Sequence, residues 1–435
     1  MIRHARLQDL TPLPAGPREP AALQTVEWIV RPTAFLRRCR ARHGDPFTVR
    51  VAWADAPMVL VSDPGEIRRI FAAGDGELQG GAISTVLEPF AGPTSILLTD
   101  GPQHLRRRRE LLPAFHGEAL AGWRATIAAL AREEVARWPA DATLRTLPRM
   151  QALTLDVILR VVLGPVERPE LRAAIRRALD MTASMPRLIA MSLQRGRAWS
   201  AFLAAVARVD ELLAREIDRG GHAEGSLLAV LQATGIGRGE LRDQVVTVLA
   251  AGHETTAGSL AWALERLARH PQAQARIRSG DEAFLEATVK EVLRVRPVLS
   301  IAARRVAVPF EVAGHVLPPG VHVAPCIYLA HRRPEAWPDP TAFRPDRFLG
   351  DAPAPGTYLP FGGGVRRCAG AAFATLELRE VLRAALERFA LAPAGKDTER
   401  MRRGSVTLRP SSGGTVLTRP LQPSRRCRSS AATTA

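Results

Sequence analysis

Residues Phe361 to Gly370 read F-G-G-G-V-R-R-C-A-G, and this decapeptide is the most informative stretch of the chain. It sets one cysteine, Cys368, in a bend bracketed by Gly362, Gly364 and Gly370, with Arg366 two residues earlier. Glycine permits backbone conformations and close approaches that a Cβ blocks. A thiolate on such a bend can therefore meet a flat ligand while neighbouring N–H groups point at the sulfur. An arginine beside it can pair with a carboxylate of that ligand. A phosphate cradle is a competing reading, but no G-K-[S/T] follows the glycines as a P-loop requires. Zinc wants several Cys or His ligands at close spacing, and Cys39, Cys326 and Cys427 are distant in sequence. A small buried hydrophobe is the bland reading of any lone cysteine.

The whole pattern suits a haem iron held by cysteine, a ligation that pushes electron density onto iron and favours O–O cleavage. A second signal lies upstream. Ala251 to Thr256 read A-G-H-E-T-T in the middle of a helix expected from about Glu240 to Arg269 and ended by Pro271. Gly252 costs that helix about 1 kcal/mol, so something should compensate for it. The expectation is that Gly252 leaves room for a ligand against the helix. Glu254 and Thr255 set an acid beside a hydroxyl, a pair able to relay protons. The plain alternative is a solvent-facing glutamate and ordinary helix threonines.

Two further patterns gain weight from their order. In Glu291-Val-Leu-Arg294 the charged residues share one helix face, and Arg347 of F-R-P-D-R-F (Phe343–Phe348) can complete a buried network with them. His104 and Arg108, in D-G-P-Q-H-L-R-R-R-R-E, stand at i,i+4 and suit a haem propionate, with Arg304 and Arg366 as further candidates. Arg106, Arg107 and Arg109 then remain for an electron-delivering partner.

At 435 residues and 46% hydrophobic content the chain can bury a large core. Its formal charge is +17, carried almost wholly by arginine, since Lys290 and Lys396 are the only lysines. No nucleic-acid motif accompanies that charge; a surface for an acidic protein partner suits it better. No apolar run of about eighteen residues is present, and the first residues lack the apolar core of a secretion signal. Scattered cysteines give no disulfide framework. A cytoplasmic protein without a transmembrane anchor is expected. Residues 1–20 are proline-rich and expected to be irregular, 421–435 a disordered tail, and 21–420 a single mainly α domain with a small β region. Phe47–Trp53 and Met58–Val61 read as a hairpin; strands return in Val306–Val323, Val406–Leu408 and Thr415–Thr418. A long meander is expected from Arg332 to Gly364.

With these motifs in order, the chain resembles the cytochrome P450 family of haem-thiolate monooxygenases from about residue 30 to residue 420. F-x-x-G-x-R-x-C-x-G, from Phe361 through Arg366 and Cys368 to Gly370, and A-G-x-E-T-T, from Ala251 through Gly252, are matched at every position. The E-x-x-R pair and meander arginine match too, with Asp346 where many relatives carry Glu. The resemblance implies the P450 fold, with its long central helix over the distal haem face. It implies haem b ligated by Cys368, and protons guided by Glu254 and Thr255 as O2 is reduced. It also implies electrons from NAD(P)H through a separate ferredoxin and ferredoxin reductase, as in soluble bacterial members, with Arg106, Arg107, Arg109 and Arg367 at the docking face. By the same analogy Met181, Met185, Val298, Leu299 and Ile301 line a pocket for a lipophilic substrate such as a terpenoid, fatty acid or polyketide-like molecule, to be hydroxylated or epoxidised. A peroxygenase or ring-coupling variant of the site, or a haem-binding sensor without turnover, are the alternative readings.

Overall fold

The computed structural model describes residues 12–52, 54–183, 196–404 and 406–421. Met185 and the tail from 422 lie outside them. Helices α1 (Ala21–Val30), α2 (Pro32–His43) and α3 (Pro64–Ala72) come first. Then follow α4 (Glu88–Ala91), α5 (Gly101–Leu111), α6 (Gly117–Ala136), α7 (Thr146–Leu163), α8 (Pro169–Thr182), α9 (Arg197–Arg219) and α10 (Leu227–Ala233). The long α11 (Arg238–Ala268) leads to α12 (Pro271–Arg278), α13 (Glu282–Val295), α14 (Ile327–Ala330) and α15 (Ala371–Arg388). Proline in the first turn opens α2, α3, α5, α8 and α12, where its missing N–H costs nothing.

The 31 residues of α11 span about 46 Å at 1.5 Å each. Every residue from Thr256 to Ala268 is buried, as expected of a helix surrounded by protein on all sides. Glu265 tolerates this because Arg266 and Arg269 pair with it at 2.5 and 2.8 Å. Trp262 is fully buried and donates its indole N–H to the Leu408 carbonyl at 3.3 Å. Helix α7 lies along α11, and α6 packs on α15; these four carry most of the main hydrophobic core.

Strands are few. A five-stranded sheet has the order β1 (Phe47–Val49), β2 (Met58–Val61), β8 (His322–Pro325), β5 (Arg304–Val306), β3 (Leu78–Gln79). The expected hairpin is its first pair, antiparallel with Phe47 opposite Leu60; β2 and β8 run parallel. The short strands expected within Val306–Val323 serve two sheets. The ends of that stretch join this sheet, while β6 (Phe310–Val312) and β7 (His315–Leu317) form a separate hairpin turning at Ala313 and Gly314, both with positive φ. A three-stranded sheet orders β4 (Ala142–Arg145), β12 (Thr415–Pro420) and β9 (Phe389–Pro393), and β10 (Met401–Arg403) pairs with β11 (Leu408–Pro410). Val406 and Thr407 belong to the turn before β11 and not to the strand. Between Arg332 and Gly363 the only helical turn is the 3-10 turn Pro345–Phe348. Upstream of α1, Pro14 and Ala15 run beside β1, accepting from the Thr48 hydroxyl at 2.6 Å and the Thr48 amide at 3.1 Å.

Candidate functional site

The bend from Phe361 to Gly370 is pressed against the last turn of α3. A Cβ on Gly364, whose φ is +64°, would lie 2.1 Å from the Phe71 carbonyl oxygen, so only glycine fits there. The bend closes on itself through the Cys368 N–H, which donates to the Phe361 carbonyl at 2.9 Å. Helix α15 starts at Ala371, so the sulfur sits beside the N-terminal end of a helix, where negative charge is favoured. The Cys368 side chain is accessible to solvent, yet protein surrounds it closely enough that burial is the strongest influence on its thiol. Burial pushes the pKa up, while the Gly370 N–H, Arg108 and Arg367 pull it down.

Cations gather beside this bend. Arg366 donates to the Thr99 carbonyl and the Asp100 carboxylate, and its Nε stands 3.7 Å from Asp75. His104 Nδ1 is 4.0 Å from the same Asp75. Burial, reinforced by Arg366, lowers the His104 pKa to about 4, so its ring is neutral near pH 7 and is not a second cation. Arg304 donates to the Ala303 carbonyl at 2.8 Å, and burial with the nearby Arg366 charge lowers its pKa to about 10. Arg108 donates to the Arg367 carbonyl at 2.6 Å, tying α5 to the residue preceding the cysteine. Two buried donors in this group, Arg366 Nε and His104 Nδ1, have no hydrogen-bond partner among the described residues. Among the described residues Cys368 is the one accessible thiol, and arginines flanking it, with unpartnered nitrogens on Arg366 and His104, fit an iron macrocycle bearing carboxylates.

On α11, Ala251 is exposed and Thr255, one turn on, is partly so; the Thr255 hydroxyl donates to the Ala251 carbonyl at 2.6 Å. Glu254 points elsewhere. Its Oε1 accepts from the Thr407 hydroxyl at 3.2 Å. Burial raises its pKa, against the pull of Arg409, Thr407 and Gln151. Glu254 and Thr255 are thus neighbours in sequence that face different surroundings. A Cβ on Gly252 would come 3.0 Å from Ile158 Cδ1 on α7, so one side of this glycine makes room for the packing of α7 on α11.

Below the bend, Glu291 and Arg294 are fully buried and joined by two bonds of 2.7 and 2.8 Å. Arg347 Nε reaches Glu291 at 3.1 Å, and the Arg344 amide reaches it at 2.8 Å. Arg294 also donates to the carbonyls of His331, Pro340 and Ala342. One ion pair therefore fastens three points of the meander that leads to Cys368.

A sequence model of the family "Cytochrome P450" matches residues 14–417. The chain belongs to the cytochrome P450 family. A Mycobacterium tuberculosis protein carrying the provisional name cytochrome P450 135A1 is 40% identical over 405 residues, which cover 88% of this chain and 90% of that one. A Mycobacterium bovis protein provisionally named cytochrome P450 135B1 is 38% identical over 94% of this chain and 91% of its own. Among solved structures, retinoic acid-bound cyanobacterial CYP120A1 superposes with a TM-score of 0.84 at 22% identity, covering 94% of this chain and all of that one. CYP175A1 from Thermus thermophilus reaches 0.73 at 30% identity, covering 89% and 95%. The architecture is the P450 fold, and the family is one of monooxygenases that use haem, O2 and electrons supplied by partners. Among the described residues, no helix is long and apolar enough to cross a membrane.

One placement departs from the sequence reading. Arg107, expected on a docking face, is wholly buried between Glu110 and Glu240 and is removed from it. Arg106, Arg109 and Arg367 are exposed. The pocket candidates divide among separate clusters. Val298 is buried in the main core, 3.4 Å from the Cβ position of Gly258 on α11, and Met181 packs on the same core. Leu299 packs beside Ile67 and Leu359, and Ile301 beside the cluster around Trp28. Two residues of the site escaped the sequence reading: Asp75 and Asp100, which organise Arg366 and His104. Asp100 stood in the quoted D-G-P-Q-H stretch; nothing marked Asp75.

Proposed function

We propose that this P450 holds iron protoporphyrin IX through Cys368 and inserts one oxygen atom of O2 into a lipophilic terpenoid, fatty acid or polyketide-like molecule, by hydroxylation or epoxidation. When bound, the haem supplies O2 activation and O–O cleavage, using two electrons derived from NAD(P)H. The remaining tasks fall to the chain. The Gly370 N–H and the start of α15 favour negative charge on sulfur, aided by Arg108 and Arg367. Arg366, Arg304 and a neutral His104 would hold the haem carboxylates, and Phe361 and Ala251 would offer apolar contact to the ring.

Glu254 takes protons from solvent, a task suited to a carboxyl whose affinity for a proton burial has raised. Thr255 has its hydroxyl hydrogen directed at Ala251, which leaves its lone pairs free to accept a donor. Glu291, Arg294 and Arg347 keep the thiolate bend in place. A ferredoxin, reduced by its NAD(P)H-dependent reductase, docks on Arg106, Arg109 and Arg367 in the cytoplasm. The observation that carries the reading is the accessible Cys368 thiol beside Arg366 and His104, each of which keeps one buried ring or guanidinium nitrogen without a hydrogen-bond partner among the described residues.

The test is optical. The haem-loaded protein, reduced and given carbon monoxide, is expected to show the long-wavelength Soret band of sulfur-ligated ferrous haem, and Cys368→Ser to lack it. A wild-type band at the shorter wavelength of nitrogen or neutral ligation would overturn the assignment.

A further inference from the structure

Helices α6 and α15 run side by side in the same direction. The rings of Phe115 and Phe373 meet at 5.9 Å near their starts, and Arg124 reaches Glu380 at 3.4 Å midway. At their ends Arg132 of α6 and Leu386 and Arg388 of α15 line one groove of about 960 Å³, together with α12, the start of α13 and Leu421. From the start of α15 to Leu386 is about 23 Å at 1.5 Å per residue. The groove is therefore remote from the Cys368 bend, and nothing in the proposed chemistry uses it.

This groove has an apolar floor and a basic rim. Val135, Ile277, Leu285 and Leu386 form the floor, each otherwise packed into the main core. Arg132, Arg278 and Arg388 stand on the rim, one from each of three helices, and all are exposed. None of the three pairs with a carboxylate among the described residues. Their neighbours do: Arg276 holds Asp281 and Asp346 at 2.7 Å each. Of the two glutamates in the lining, Glu282 is shared by Arg379 and Arg383, which leaves Glu387 against three arginines. The last turns of α12 and α15 favour a cation, so Arg278 and Arg388 can stand there without a counter-charge.

An aliphatic floor takes apolar groups out of water. Cations drawn from three separate helices surround that floor, so a single acidic head would engage only part of them, whereas a peptide bearing several carboxylates can engage all. No aromatic residue lines the groove, so a nucleic-acid base would find no stacking face. The residues after Leu421 include Arg425, Arg426 and Arg428 and repeat the sign of the rim, so charge also sets aside this chain's own C-terminal stretch. We propose that the groove docks an acidic peptide segment of a partner protein. Its carboxylates meet Arg132, Arg278 and Arg388, and its aliphatic side chains rest on Val135, Ile277, Leu285 and Leu386. The site is independent of the haem chemistry proposed above.

The experiment titrates the haem-loaded full chain into a fluorescein-labelled peptide, D-E-L-L-E-D, and reads anisotropy at low salt. This peptide should bind. The basic K-K-L-L-K-K and the leucine-free D-E-S-S-E-D should each bind about tenfold or more weakly. Arg132→Glu, Arg278→Glu and Arg388→Glu exchange exposed side chains that hold no ion pair, so the variants should fold. Each should weaken binding about fivefold, and the three together about 100-fold. Reversing Arg106, Arg109 and Arg367 on the remote face should leave the peptide affinity within about twofold.

Equal binding of the basic peptide, or an affinity unmoved by the triple reversal in the groove, overturns the proposal. Undiminished binding of D-E-S-S-E-D overturns it too, since charge alone would then explain the contact. Loss of binding on reversal at Arg106, Arg109 and Arg367 would place the peptide elsewhere. Three competitors complete the test. Displacement by decanoate at the peptide's own affinity would assign the groove to a single-headed amphiphile, and displacement by a short oligothymidylate would assign it to nucleic acid. Displacement by a synthetic peptide of residues 422–435 would assign it to this chain's own C-terminal stretch. Any of the three overturns docking of an acidic partner.

Discussion

Replacing Glu291 by glutamine tests how the thiolate bend is held. The carboxylate accepts four hydrogen bonds: two from Arg294, one from the Arg344 amide and one from Arg347 Nε. An amide has one oxygen, so at least one arginine N–H would face an NH2 group. Arg294 would keep its full charge at 0% exposure with its counter-charge gone. Breaking a buried pair from one side costs about 3–5 kcal/mol, a large share of the ~5–15 kcal/mol that stabilises a typical domain.

Expressed locally, that cost raises opening of the meander by roughly two to nearly four orders of magnitude. Hydrogen exchange at the Arg344 amide and its neighbours reads it directly. The reduced carbon monoxide spectrum should lose part of its sulfur-ligated band as the bend loosens. The double variant Glu291→Leu/Arg294→Met, with no stranded charge, should recover part of the loss, because hydrophobic replacement of a buried pair is often close to neutral. Wild-type exchange at Arg344 together with an unaltered spectrum in Glu291→Gln would refute the reasoning.

Thr255→Ala should bind substrate normally while diverting electrons to hydrogen peroxide; unchanged coupling would remove Thr255 from the relay. Charge reversal at Arg106, Arg109 and Arg367 should slow reduction by an acidic ferredoxin at low salt, with the difference fading as salt screens it; equal rates at low salt count against that surface. Acid stability should fall through three histidines. Burial lowers His104 and His253 to about 4 and His331 to about 3, from 6.5. Their neutral forms are favoured by the fold, so the stability they give is present above pH 6.5 and lost as pH falls toward 4. Glu377, whose pKa burial raises, works in the opposite direction. His253→Asn should therefore reduce proton uptake on unfolding at pH 5 by about one proton relative to wild type; an identical pH slope would contradict the assigned shift.

The sequence was most readable where chemistry demands fixed residue types at fixed spacing. The Cys368 bend, the central helix and the Glu291–Arg294 pair are such places, since few other residues could serve there. A glycine in a helix, such as Gly252, says only that something comes close; that Ile158 is one such neighbour depends on how α7 packs. Arg107 was misplaced for a related reason: in a run of four arginines, one-dimensional spacing does not reveal that Glu240, far along the chain, waits for one of them. Asp75 carries no local pattern, and its role exists only because the fold brings α5 and the bend together. The separation of Glu254 from Thr255 follows from helix geometry, since adjacent residues point about 100° apart.

The residues ahead of α1 have a consequence for handling the protein. Strand β1 lies at the end of its sheet, and an open strand edge invites pairing with another molecule. Pro14 and Ala15 occupy that edge by taking the Thr48 hydroxyl and amide bonds. A shortened chain beginning at Glu19 would uncover it, and such a truncation should self-associate in solution under conditions where a chain retaining Pro12 to Pro17 stays dispersed.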